Sequence, residues 1–273
     1  MKRIIDYSLI VTTVGVLGMG CKNGGNNSGK SEQDSLVENP IIVTMKNQVR
    51  KYPDSTRLYD KLIDQYTTNG DYKSALAWCD SLMARGDSNF SYLLVKGKIF
   101  RMAQQHDSAI NAYQAYLERF PDDEETLLNL ANTAAETGND ISLKMTDDIV
   151  KKFPSREVKS EAFFIKGVYE SRVKNFDRAI AFFDQAILFR YTFYEVYVEK
   201  AIAQYDQKKY DASLATLDEL LALKSDYPDA FYWKGKVYEA LNNKPEAINN
   251  YEAAYTLDRS DVDSKKKLDS LQK

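Results

Sequence analysis

The sequence predicts an all-α chain, a solenoid of about six stacked helix-turn-helix units with a capping helix at each end. Three observations carry this reading. Apolar residues recur at helical spacing in a register that repeats every 34 residues. Small residues return at two fixed places in that register. Finally, all six prolines (Pro40, Pro53, Pro121, Pro154, Pro228, Pro245) fall at expected helix boundaries, and none falls in a helix interior, where it would cost ~3 kcal/mol.

Composition sets the outer bounds. The chain has 273 residues, 44% hydrophobic and 28% charged, as in a folded globular protein. Thirty-seven basic residues against 40 acidic ones give a net charge of −3. That balance supplies no electrostatic footprint for nucleic acid. One histidine and two cysteines exclude a disulfide framework and most His/Cys metal sites.

The first thirty residues are a different kind of polymer. They hold six of the twelve glycines. A basic start (Met1, Lys2, Arg3) is followed by an apolar run over residues 7–17 (YSLIVTTVGVL) and then by Gly18, Met19, Gly20 and Cys21. The run is too short to span a bilayer, which takes ~20 residues. This layout is that of a secretory signal. With Gly20 directly before Cys21, it resembles a bacterial lipoprotein signal over residues 1–20. That resemblance implies that Cys21 is lipidated and becomes the new N-terminus. It implies a lipid anchor in the cell envelope. Lys22, where an aspartate would retain the protein at the inner membrane, points to the outer membrane. Residues 21–38 read as a tether; the stretch KNGGNNSGK has no apolar residue and a typical reach of about 15–18 Å.

Residues 39–55 (with the run PIIVTMKNQVRKY) are predicted to form a solitary N-terminal capping helix. The repeats follow as 56–89, 90–123, 124–159, 160–193, 194–227 and 228–261. Counting from the first residue of each unit, position 8 is Gly97, Gly167, Ala201 and Gly235. Position 20 is Ala75, Ala109, Ala179, Ser213 and Ala247, and position 24 is Cys79, Tyr113, Phe183, Leu217 and Tyr251. The third unit keeps Leu127, Ala131 and Gly138. Its second half slips, with Asp147 where a bulky residue is due and Ile149 two places on, so a two-residue insertion is expected there. Residues 262–273 form a polar helix carrying Leu268 and Leu271, suited to capping the last unit.

Six units of about 34 residues in this register resemble the tetratricopeptide repeat over residues 56–261. The resemblance implies two antiparallel helices per unit and a right-handed superhelix. It also implies a concave face where positions 2, 5, 9, 12 and 13 meet protein partners. Position 5 reads Asp60, Leu94, Leu128, Phe164, Val198 and Tyr232. Around it lie Lys98, Arg101, Asn132, Arg172, Tyr205 and Lys236. The expected groove has an apolar floor with basic spots, suited to an extended or helical peptide of some acidic character. Some relatives clamp a C-terminal carboxylate with Lys at position 5; no unit here has it. By resemblance the chain is a membrane-tethered adaptor for envelope proteins. Alternatives of the same kind are a subunit of an outer-membrane β-barrel assembly complex and an adaptor for cell-wall hydrolases.

No catalytic chemistry is expected. The lone His106 stands at position 17, where other units carry Tyr72, Phe176 and Tyr210, and reads as a packing ring. Cys79 reads as a small core residue. No G-x-S-x-G, H-E-x-x-H, Walker or G-x-G-x-x-G pattern is present. No cofactor, metal or nucleic-acid partner is expected.

Overall fold

The computed structural model describes residues 39–86 and 90–272. Among them lie fourteen helices and no strand. A solitary helix, α1 (Pro40–Lys51), comes first. Six helical hairpins follow: α2 (Thr56–Thr68) with α3 (Tyr72–Met83), α4 (Ser91–Met102) with α5 (His106–Leu117), α6 (Glu124–Glu136) with α7 (Ile141–Lys152), α8 (Arg156–Arg172) with α9 (Phe176–Phe189), α10 (Tyr194–Asp206) with α11 (Tyr210–Leu223), and α12 (Pro228–Ala240) with α13 (Lys244–Leu257). Helix α14 (Val262–Leu271) closes the chain. Each helix packs on the next, and the first helices of successive hairpins also touch, α4 on α6, α6 on α8 and α10 on α12. This is an all-α repeat solenoid. No described helix is long and apolar enough to cross a membrane.

Every hairpin turns by the same device. The amide at position 16 donates to the carbonyl at position 11, five residues back. The six bonds (Asp71 to Tyr66, Gln105 to Phe100, Asn139 to Ala134, Asn175 to Glu170, Lys209 to Gln204, Asn243 to Tyr238) measure 2.8–3.0 Å. Such a bond forms when the residue before it is left-handed, which satisfies carbonyls at the helix end. Position 15 has positive φ in all six units: Gly70, Gln104, Gly138, Lys174, Lys208 and Asn242. Only two of these are glycine, so the other four hold a conformation that L-residues avoid.

Within a hairpin, positions 8 and 24 meet, and their sizes are reciprocal. A Cβ added to Gly97 would lie 2.3 Å from the Tyr113 ring; at Gly167 it would lie 2.4 Å from Phe183, and at Gly235 2.8 Å from Tyr251. Where position 8 is Ala201, position 24 is the smaller Leu217. Where it is Ile63, position 24 is Cys79. All these position-24 side chains are fully buried. Burying a ring this way contributes ~2–3 kcal/mol, which the close approach of a glycine backbone makes possible.

The third hairpin departs from the expected alignment, and the structure shows where. The buried residues of α7 are Ser142, Thr146 and Ile149. Their spacing matches Ala75, Cys79 and Leu82 of α3. Thr146, not Asp147, therefore takes the position-24 place opposite Ala131, and the register loses one residue between Asn139 and Ser142. The length returns before Ser160: α8 starts at Arg156, capped by the Ser155 hydroxyl, and runs 17 residues against 12–14 in the other repeat helices. Arg156 reaches back to the carbonyls of Leu188 and Phe189.

A charged staple joins neighbouring units. Lys at position 7 pairs with the aspartate one place beyond position 24 of the previous unit. Lys96–Asp80, Lys166–Asp147, Lys200–Asp184 and Lys234–Asp218 all measure 2.6 Å. The lysines are largely covered and the aspartates exposed, so each pair contributes up to about 1 kcal/mol. Between the second and third units the two places hold Gln114 and Leu130. Both charges are replaced together there.

At the C-terminal end, Leu268 of α14 joins the core of the last hairpins. Lys267 pairs with Glu239 of α12 at 3.0 Å.

Candidate functional site

A groove of about 510 Å³ runs over the first helices of the second to fifth hairpins. Helix α4 and its turn supply Arg101, Met102 and Gln104; α6 supplies Glu125, Leu128, Asn129, Asn132 and Glu136. From α8 come Glu161, Phe164 and Ile165. The turn into α10 adds Arg190 and Phe193, and α10 adds Glu195 and Glu199. The floor is apolar. Phe164 lies 5.0 Å from Phe193, ring centre to ring centre, and 6.1 Å from Phe183 beneath it.

Of the expected site residues, Arg101, Leu128, Asn132 and Phe164 come together in this groove. Leu94, Lys98, Arg172 and Tyr205 do not line it, although none of them is fully exposed. Val198, Tyr232 and Lys236 correct the expected floor. Val198 is 2% exposed and Tyr232 5%. Tyr232 packs edge-on against Trp233 and tilts on Tyr251. The ammonium of Lys236 sits 4.8 Å over Trp233 and 5.6 Å over Tyr205. In the last two hairpins, large rings therefore fill the space that a continuous apolar groove would need. Cys21 lies outside the described residues.

The electrostatics also differ from the expectation. Arg101 is held by Glu136 at 3.3 Å and Arg190 by Glu161 at 3.2 Å. Lys98 pairs with Glu125. The Arg190 guanidinium additionally lies 3.9 Å over the Phe193 ring. The basic spots are thus already neutralised, and five glutamates line the groove against two arginines. Burial raises the Glu161 carboxyl pKa, with Arg190 opposing and Glu124 and Glu125 adding to the rise. Glu199 is only 8% exposed. Burial pushes its carboxyl up to about 7; Arg172 opposes this, while Glu136 and Asp206 add to it.

Three of the glutamates, Glu125, Glu161 and Glu195, stand at position 2 of successive units. Reading that position along the sequence finds them. Glu199 stands at position 6, where the register carries no signal. His106 opens α5, lines the groove, and its Nδ1 lies 3.6 Å from Glu136. It thus has an ionic neighbour besides its packing place. Cys79 is fully buried and its thiol is pushed up to about 12 by burial, so it is poorly nucleophilic. Among the described residues no group of three His, Cys, Asp or Glu side chains could hold a metal ion.

A second cavity of about 470 Å³ lies among α7, α8 and α9, where Phe163 and Phe189 are rimmed by Lys151, Lys159 and Lys166. Lys166 there is held by Asp147.

A family model described as tetratricopeptide repeat matches residues 94–140 and 198–262. The matched stretches are tetratricopeptide repeats. Among solved structures, a tetratricopeptide repeat protein from Parabacteroides merdae aligns with a TM-score of 0.66 at 17% identity, over 85% of this chain and 91% of that one. A thermophilic tetratricopeptide repeat protein of Thermus thermophilus aligns at 0.54 and 21% identity, over 67% of this chain and 98% of that one. A curated relative, the DnaJ homolog subfamily C member 7 homolog of Schizosaccharomyces pombe, is 22% identical over 207 residues. That match takes in 76% of this chain, which spans 39% of the relative's length. The reciprocal pairing at positions 8 and 24 is how this chain keeps one hairpin geometry with different residues.

Proposed function

We propose that the chain is a tethered scaffold of the bacterial cell envelope that holds a protein partner in the groove over α4, α6, α8 and α10. The observation that carries this reading is the groove itself. Four successive repeats build it, with an apolar floor at Phe164 and Phe193 and a polar rim of ion pairs. That layout suits a polypeptide segment, which meets apolar anchors at intervals and polar groups around them.

The test uses a photoreactive residue placed in the full chain in cells. From Asn129, in the groove, discrete cross-linked protein adducts are expected. From Asp148, exposed on α7, those adducts should be missing. The same adducts from both sites, or none from Asn129, would sink the groove reading.

The tether rests on the signal-like residues 1–20 and on Cys21, with the outer membrane favoured by Lys22. Acyl chains at Cys21 would contribute ~0.8 kcal/mol per buried CH₂, enough in combination for stable anchoring. Cys21→Ala is expected to move the protein from the membrane fraction to the soluble fraction. A chain that stays membrane-bound after this change is not anchored through Cys21.

A further inference from the structure

Among the described residues, the groove keeps buried acceptors without a donor while its two guanidinium groups are already in ion pairs; the nitrogens left over are Arg190 Nε and His106 Nδ1. Arg101 and Arg190, its two guanidinium groups, are each engaged by a glutamate. No hydrogen bond or ion pair from the described residues reaches Glu199, although its side chain is more than nine-tenths buried and faces the groove. Arg172 acts on it through space without forming a pair. A second acceptor points the same way. Oδ1 of Asn132 is buried and receives no hydrogen bond, while its Nδ2 donates to Glu136 at 3.5 Å. Glu195 lies farther along the same wall, also without a partner among the described residues. A buried carboxylate left without a donor is costly, and a charged donor brought by a ligand removes that cost.

We propose that the groove takes a basic polypeptide segment, whose lysine or arginine side chain donates to Glu199. Asn132 Oδ1 and Glu195 serve as further acceptors along its path. An adjoining apolar side chain of the segment rests on Phe164 and Leu128. This rests on the groove reading above and names the chemistry of its occupant. An acidic segment would meet guanidinium groups that Glu136 and Glu161 already engage, and would face Glu195 and Glu199 with like charge. The same face therefore also selects against the acidic partner that the positions of Lys98, Arg101 and Arg172 suggest in the sequence.

Three fluorescein-labelled nonapeptide pools test this, identical except for a central arginine, glutamine or glutamate beside a fixed leucine. Each is titrated by anisotropy against the full chain, its Glu199→Gln variant, and Asn129→Trp, which places a large ring in the groove. The arginine pool is expected to bind at least about tenfold more tightly than the glutamate pool, and Glu199→Gln to weaken it by about tenfold, the effect of losing one charged hydrogen bond. Asn129→Trp should abolish binding. Equal affinity for the arginine and glutamate pools overturns the inference, as does an arginine pool indifferent to Glu199→Gln. If the glutamate pool binds and Asn129→Trp abolishes it, the groove stands and its basic occupant falls. Binding that survives Asn129→Trp overturns the groove reading itself. No binding by any pool overturns the inference.

Discussion

Gly167→Ala will destabilise the chain, and Phe183→Leu will rescue it. The added Cβ lies 2.4 Å from Cε1 of Phe183, a ring with 0% exposure that has nowhere to swing. Forcing a methyl into such a contact costs ~1–3 kcal/mol, offset in part by the ~1 kcal/mol that alanine gains over glycine in a helix. Phe183→Leu alone leaves a void and is expected to cost about 2 kcal/mol. Together the two changes recreate the Ala201 and Leu217 pair that the fifth hairpin already uses. The double variant should therefore melt above at least one of the singles, with a favourable coupling of about 2 kcal/mol in a double-mutant cycle. Strict additivity of the two losses would show that positions 8 and 24 do not set each other's size.

The second large effect belongs to Glu199. Its carboxyl is raised from 4.5 to about 7 by burial, so the ionised form is disfavoured in the folded chain. Below about pH 4.5 the group is protonated in both states and costs nothing. As pH rises toward 7 the unfolded state releases its proton first, and stability falls. Above about 7 the loss is complete, on the order of 3 kcal/mol for a displacement of this size. Glu199→Gln should remove this loss. Chemical denaturation at pH 5 is expected to show little difference between the two proteins, and at pH 8 to show the variant more stable. Arg172, Glu136 and Asp206 are the charged groups that face this carboxyl from α8, α6 and α10. A variant no more stable than wild type at pH 8 would mean that the carboxylate is solvated or paired in the folded chain.

The solenoid was legible in the sequence because positions 8, 20 and 24 are constrained by one helix contact, and that contact recurs every 34 residues. It blurred where the contact is made by unusual residues. Thr146 in place of a ring gives no aromatic mark, so the eye passes to Asp147, which is exposed and faces Lys166 instead. The left-handed turn residue was visible at Gly70 and Gly138 and invisible at Gln104, Lys174, Lys208 and Asn242. Those side chains advertise nothing about backbone conformation. Half of the groove was legible for a similar reason. Leu128 and Phe164 at position 5 do form its floor. Val198 and Tyr232 at the same position are covered, because burial there depends on the bulk of neighbours such as Trp233 and not on the position. The charge of the groove does not follow from its basic residues alone, because Glu125, Glu136 and Glu161 engage them across neighbouring elements.

At the joint between α5 and α6 the lysine–aspartate staple gives way to ion pairs on the groove side, Arg101 with Glu136 and Lys98 with Glu125. The buried cluster around α2 and α3 ends at Ile99, and the next begins at Leu128. In a quasi-one-dimensional structure each interface carries its own share of the cohesion, and at this joint part of that share passes through side chains that also wall the groove. The groove straddles that joint, with Arg101 and Met102 on one side and the remaining walls on the other. A segment lying across it would act as a splint. The jaw-like opening of the groove and the flexure of the rod at this joint then become the same motion.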